Sequence, residues 1–165
     1  MVNKMKTPTV LKRKKSGVTD YRKRLKLLRS ESTRIIIRPT GKGIVVQAAD
    51  YSPEGDKVIA TVNSSTLKKE IGVTGNNSQV AYLAGYYLGK LASSRGVEYA
   101  VVDTGRFNLV TGGRISCAIK GAIDGGLEIS ASEDIYPSEE RIEGKHLKSP
   151  LDISNLKNAI DGKVK

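Results

Sequence analysis

The stretch TRIIIRPTGKGIVVQAADYSPEGDKVIATVNS, Thr33 to Ser64, decides the fold. Thr33 to Arg38 is rich in β-branched residues, which fit a pleated strand. Pro39-Thr40-Gly41-Lys42-Gly43 reads as a turn, because Pro fixes one φ and Gly admits the conformations other residues avoid. Ile44 to Asp50 is a second strand, with Val46 and Ala48 alternating against Gln47. Ser52-Pro53-Glu54-Gly55-Asp56 is a second turn, and Lys57 to Ser64 a third strand. Three strands joined by two short loops predict an antiparallel meander.

Working outward toward the C-terminus, Thr66 to Gly75 is a charged connection with no clear period. Asn76-Asn77-Ser78 then caps a helix from Gln79 to Ser94, with Val80, Ala84, Tyr87, Leu88 and Leu91 as its apolar stripe and Gly96 beyond its end. Gly85 and Gly89, four apart, predict close packing of that helix on a sheet. Glu98 to Asp103 is a short buried strand after a helix, so one parallel crossover is expected. Thr104 to Thr111 is a loop, and Gly112-Gly113-Arg114 leads into a helix over Ile115 to Asp124. Acids accumulate from Glu128 to Glu143, and the last fifteen residues, alternating Lys and Asp, are expected to fray.

Toward the N-terminus the character changes. Residues 1–30 hold 11 of the 28 Lys and Arg but one of the 17 acids, which leaves 17 bases against 16 acids for everything after. Nearly all of the net charge of +11 therefore sits in this arm. Residues 1–18 have no apolar period and are expected to be flexible when free. A helix follows, with Thr19 as N-cap, Asp20 in the first turn, and Tyr21, Leu25 and Leu28 as a stripe that docks it. Arg22, Lys23, Lys26 and Arg29 lie on the other faces. The fold class is thus mixed α/β: a three-stranded antiparallel meander extended by a parallel strand and flanked by helices, with a basic N-terminal arm and helix. The organisation read from it is a flexible arm (1–18), one α/β domain (19–147) and a C-terminal tail (148–165).

The pattern excludes several classes of function. No apolar run approaches the roughly 18 residues a membrane span needs. One His and one Cys do not make a four-ligand zinc site, so no metal or other cofactor is expected. No nucleophile signature accompanies His146, which reads as a surface residue; Cys117 reads as buried and inert. Asp50, Asp103 and Asp124 lack the acidic neighbours of a metal-dependent nuclease. No enzyme activity, small-molecule substrate or membrane partner is expected. Concentrated basic charge points instead to a polyanion, since Lys and Arg neutralise phosphates and release counterions.

Further candidates sit on the body. Arg34, Arg38, Lys42 and Gln47 cluster near the first hairpin, and Arg34 and Arg38 share a face with Ile36. They either continue the basic surface onto the sheet or are strand-end charges in solvent. Gly112-Gly113-Arg114, at a helix N-terminus, suits a phosphate oxygen or is an ordinary glycine turn. Tyr82, Tyr86, Tyr87 and Tyr99 offer rings for base stacking, against the reading of Tyr87 as core and the others as half-exposed packing residues.

Five segments resemble a known family, in one order over roughly residues 10–147: TDYRKRLKLLRS (19–30), RIIIRPTGKGIVVQ (34–47), GNNSQVAYLAGYYLG (75–89), GGRISCAIKGAIDGGLEI (112–129) and SEERIEGKHL (138–147). They are similar to the 5S rRNA-binding proteins of the large ribosomal subunit, number eighteen in the universal naming, and most of all to the archaeal branch. The resemblance implies a cytoplasmic, non-catalytic constituent of the large subunit. It implies binding to 5S rRNA and attachment of that RNA to the large-subunit rRNA in the central protuberance, beside neighbouring ribosomal proteins. It also implies RNA contacts at Lys12, Arg13, Lys14, Lys15, Tyr21, Arg22, Lys23, Arg24, Lys26, Arg29, Arg34, Arg38, Thr40, Lys42 and Gln47, to which the glycine turn adds Arg114. The other reading of the residues is a stand-alone basic RNA-binding module or RNA chaperone.

Overall fold

The computed structural model describes residues 10–164. The first half of the expected flexible arm, residues 1–9, lies outside the described residues. From there the chain forms a helical turn α1 (Lys12–Lys15), then α2 (Tyr21–Leu28), β1 (Thr33–Pro39), β2 (Ile44–Asp50) and β3 (Lys57–Asn63). It continues through α3 (Ser64–Ile71), α4 (Ser78–Ser93), β4 (Tyr99–Asp103), α5 (Arg114–Asp124), β5 (Glu128–Ile129), a 3-10 turn (Glu133–Ile135), α6 (Glu139–Glu143) and α7 (Ile153–Asp161).

The sheet order is β3-β2-β1-β4-β5. β1–β2 and β2–β3 are antiparallel, which is the expected meander; β4 adds parallel to β1, and the two-residue β5 adds parallel to β4. Strand alternation sorts the side chains. Ile35, Ile37, Val46, Ala48, Ala60, Val62 and Ala100 face one way and are buried. Arg34, Ile36, Arg38, Gln47, Thr61 and Asp103 face the other.

Helices α4 and α5 cover the apolar face and pack most closely on each other. A side chain on Gly85 would overlap the Ala118 carbonyl oxygen, and one on Gly121 would overlap that of Tyr82. The glycine pair of α4 therefore permits a helix–helix approach to α5, not the helix–sheet approach expected from its spacing. With the sheet below and α5, α6 and α7 around it, α4 is buried on nearly every side. Tyr82 and Tyr86 are consequently in the core with Tyr87, their hydroxyls donating to Asp124 (2.5 Å) and Asp161 (3.0 Å). Both rings are buried, so neither is offered to a base, and burial and those carboxylates raise both phenols. Cys117 is buried as expected, and burial pushes its thiol up to about 11.

Short helices stand where none was expected: α1 within the arm, α6 in the acidic segment, and α3 and α7. Asn63 caps α3, accepting from the Thr66 amide at 2.8 Å, and Gly72 closes it at φ +69°. The C-terminal segment holds α7, whose Ile160 is wholly buried, so this segment is docked and not frayed. Gln79, inside α4, fixes the approach to it. Its amide donates to the carbonyls of Ile142 (3.1 Å) and Leu151 (3.2 Å), and its oxygen accepts from the Leu151 amide (2.9 Å).

Candidate nucleic-acid interface

The side of the molecule carrying α1, α2 and the β1–β2 hairpin is built on an ion-pair chain. Arg34, central on the outward sheet face, is wholly buried. Its Nη2 lies 2.7 Å from Asp56 Oδ2, an ionic contact whose angle falls short of a hydrogen bond, and its Nη1 lies 3.4 Å from Asp103 Oδ2. Asp56, from the second turn, also takes Arg24 of α2 at 3.1 Å. Asp103, at the end of β4, also takes Arg38 at 3.0 Å, and Arg38 further donates to the Asp103 carbonyl at 2.6 Å. Three guanidiniums thus share two carboxylates, and the chain runs from α2 across the sheet face to β4. Burial raises the Asp56 carboxyl, but the adjacent guanidiniums of Arg34 and Arg24 outweigh it and hold the group below its ordinary value.

This chain changes how α2 is seated. The N-cap is Asp20, not Thr19: its carboxylate accepts from the amides of Arg22 (3.0 Å) and Lys23 (3.2 Å). Those bonds, led by that from Lys23, hold the Asp20 carboxyl below its ordinary value. Thr19 instead accepts from Arg13 Nε at 3.0 Å, tying α1 to the start of α2. The face turned inward carries Tyr21, Arg24, Leu27 and Leu28, whereas Leu25, expected in the docking stripe, is 52% exposed. An ion pair at Arg24 has displaced a leucine from the contact. Lys23 reaches across to the β4–α5 loop, donating to Thr104 Oγ1 (2.9 Å) and the Gly105 carbonyl (3.0 Å).

The expected contact residues fall into three groups. Lys12, Arg13, Lys14, Lys15, Arg22, Lys26, Arg29, Thr40 and Lys42 are exposed, and Lys23 is exposed with its ammonium on the loop. Tyr21, Arg24, Arg38 and Gln47 are half-buried, with Gln47 donating to Thr61 at 3.1 Å. Arg34 is buried and spent on carboxylates, so it is not a phosphate ligand; it belongs to the support of the surface. Arg114 has a similar supporting part. It donates to the Thr40 carbonyl (3.3 Å) and to Asn76 Oδ1, while Asn76 donates to the Gly41 carbonyl (2.9 Å). The glycine turn before α5 thereby holds the first hairpin through Arg114 Nη1. Thr40 closes the turn itself, donating from its amide (2.8 Å) and hydroxyl (3.1 Å) to the Gly43 carbonyl. Of the tyrosines, Tyr99 alone of the four stays exposed.

Arg106 is exposed beside α2, and the sequence around it carries little sign of a contact residue. Its only local signal was a cation next to the single Phe of the chain, Arg106-Phe107, inside a glycine-bearing loop. His146 is exposed as expected, with Nε2 3.1 Å from the Ser78 hydroxyl. Among the described residues no three His, Cys, Asp or Glu side chains converge on a metal site. What the surface can do chemically is attract and hold phosphates with several independent cations on a rigid base.

Comparison with known proteins agrees in kind with that surface. The family model described as ribosomal large subunit proteins 60S L5 and 50S L18 matches residues 6–98. A large ribosomal subunit protein uL18 from Picrophilus torridus is 57% identical over 156 residues, covering 94% of this chain and 99% of the relative. The uL18 of Thermoplasma acidophilum is 51% identical over 89% of this chain and 91% of its own length. That of Korarchaeum cryptofilum is 41% identical over 84% of this chain and 71% of its own length.

Proposed function

The chain belongs to the uL18 family of large ribosomal subunit proteins, and we propose that within that subunit it binds 5S rRNA and helps attach it to the large-subunit rRNA in the central protuberance. The observation that carries the proposal is the exposure of the cations of α1 and α2, helices tied to each other and to the outward sheet face through Arg13 and Arg24, on a body that is otherwise near neutral. Lys12, Arg13, Lys14, Lys15, Arg22, Lys26, Arg29 and Lys42 meet phosphates, with Lys23 holding the β4–α5 loop beside them. Tyr21, Arg24, Arg38, Thr40 and Gln47 stand along the margin of that surface, where they meet sugar and base edges. Phosphate contacts fix register, and the shape of the docked helix and hairpin selects the RNA. The role is structural, with no catalytic step.

The test is binding of the whole protein to 5S rRNA and, separately, to a tRNA, across a salt series. A preference for 5S rRNA with log K falling by about 0.7–0.9 per log of salt for each phosphate contacted supports the proposal. Equal affinity for both RNAs overturns it in favour of a generic basic RNA-binding module.

A further inference from the structure

The cationic side contains a crevice in which basic side chains and an aromatic ring meet. It lies between α1, α2 and the β4–α5 loop, has a volume of about 410 Å³, and is lined by Arg13, Lys23, Arg38, Asp103, Arg106 and Phe107 among others. Its acids are committed: Asp20 to the first amides of α2, and Asp103 to Arg34, Arg38 and the Gly105 amide (2.7 Å). Of its cations, Lys23, Arg24 and Arg38 are committed as well, and two are left largely free. Arg13 uses only Nε, on Thr19, and Arg106 makes no ion pair or hydrogen bond among the described residues. At the edge stands Phe107, 46% exposed, an aromatic ring in water beside unspent guanidiniums.

We propose that this crevice takes one unstacked RNA nucleotide, its base laid on the Phe107 ring and its phosphate held by Arg13 and Arg106. The proposal rests on the RNA-binding reading above and adds to it a site and a mode of contact. The volume lies in the range of pockets that enclose a small ligand. The charge left over is cationic on both walls, which suits a phosphate and disfavours a basic protein segment. RNA-binding proteins read loops and bulges by splaying bases onto aromatic side chains or Arg planes, and an aromatic face accepts any base. Phe107, in a loop held by Lys23 on one side, is a stacking platform of that kind already in place.

The test uses the full chain and 5S rRNA, with Phe107→Ala, Phe107→Trp and Arg106→Gln. Phe107 is exposed, so none of these removes a core contact. Loss of one base–aromatic stack weakens binding by roughly 5- to 150-fold. Phe107→Ala should lose that much with the salt slope unchanged, and Phe107→Trp should bind like the wild type. Arg106→Gln should weaken binding and lower the slope by about 0.7–0.9. Ultraviolet cross-linking of the intact complex should attach RNA to the peptide containing Phe107. Wild-type affinity for Phe107→Ala, or equal losses for Ala and Trp, overturns the proposal and leaves the exposed ring as a contact for a neighbouring protein. The two readings separate cleanly. If the wild type fails to prefer 5S rRNA but Phe107→Ala still weakens binding to RNA, the crevice stands and the 5S assignment falls. If the preference holds and Phe107→Ala is silent, only the crevice falls.

Discussion

Replacing Asp56 by Asn tests the ion-pair chain at the carboxylate where α2 and the sheet meet. Asn keeps the shape and one acceptor oxygen, so the loss is the charge. Arg34, wholly buried, then retains only Asp103 at 3.4 Å, and Arg24 loses its anchor. Removing one partner of a buried pair costs about 3–5 kcal/mol when the remaining charge is stranded. Here Arg34 keeps a second carboxylate and the Asp56 side chain is 23% exposed, which lowers the expected loss to about 2–3 kcal/mol. With a urea slope of about 1–3 kcal/mol/M, the midpoint should fall by about 0.7–3 M. Arg34→Met is the informative contrast. It leaves Asp56 with Arg24 and Asp103 with Arg38, so no charge is stranded, and the expected loss is smaller, about 1 kcal/mol. The double variant should lose less than the sum of the two, because both changes break the same contact. Urea unfolding followed by circular dichroism reads all three. An Asp56→Asn midpoint equal to the wild type, or Arg34→Met costing more than Asp56→Asn, would refute the reasoning.

Other consequences follow from particular contacts. The lowered pKa of Asp56 means the unfolded chain binds its proton first as pH falls. Its contribution is therefore full above its unfolded value of about 4 and is lost as pH drops through the folded value, a loss that Asp56→Asn should abolish in an acid titration of stability. Gly121→Ala places a methyl on the Tyr82 carbonyl oxygen and forces α4 and α5 apart, at a cost of about 1–3 kcal/mol by thermal unfolding; an unchanged Tm would contradict the packing described. Gln79→Leu leaves the Ile142 and Leu151 carbonyls and the Leu151 amide without their partner. Hydrogen exchange at the Leu151 amide should then accelerate, while exchange in β1 and β2 stays slow.

The elements that were legible in the sequence carry local signals strong enough to survive tertiary context. The meander shows as alternation plus two Pro/Gly turns, and α4 as an Asn cap before a long apolar period. α3 was hidden because Leu67 is its only buried residue and its Asn63-Ser64-Ser65 start reads equally well as the end of a strand. α7 was hidden because Lys and Asp around it looked like a tail, while the Ile153, Leu156 and Ile160 stripe has meaning only against α4. The candidate surface divided in the same way. Exposed lysines declare themselves by composition. Arg34 does not: its place on the outward face follows from alternation, but the carboxylates that cover it come from the β2–β3 turn and from β4. Hydrophobic periodicity likewise has no means of placing Arg24 inward and Leu25 outward. Phe107 and Arg106 sit in a loop whose meaning appears only once α1 and α2 close over it.

The claim that the exposed N-terminal cations hold RNA is tested most directly by exchanging equal charge in two places. One variant replaces Lys12, Lys14 and Lys15 by Gln; the other replaces Lys68, Lys69 and Lys148, equally exposed but on α3 and near the C-terminus. Each loses three charges, so the two share a net charge and differ only in where it was removed. Salt-dependent binding of the whole protein to 5S rRNA should show a slope reduced by about 2–3 for the first variant and unchanged for the second. Equal reductions in both would contradict the account, since RNA would then be answering to total charge and not to this surface.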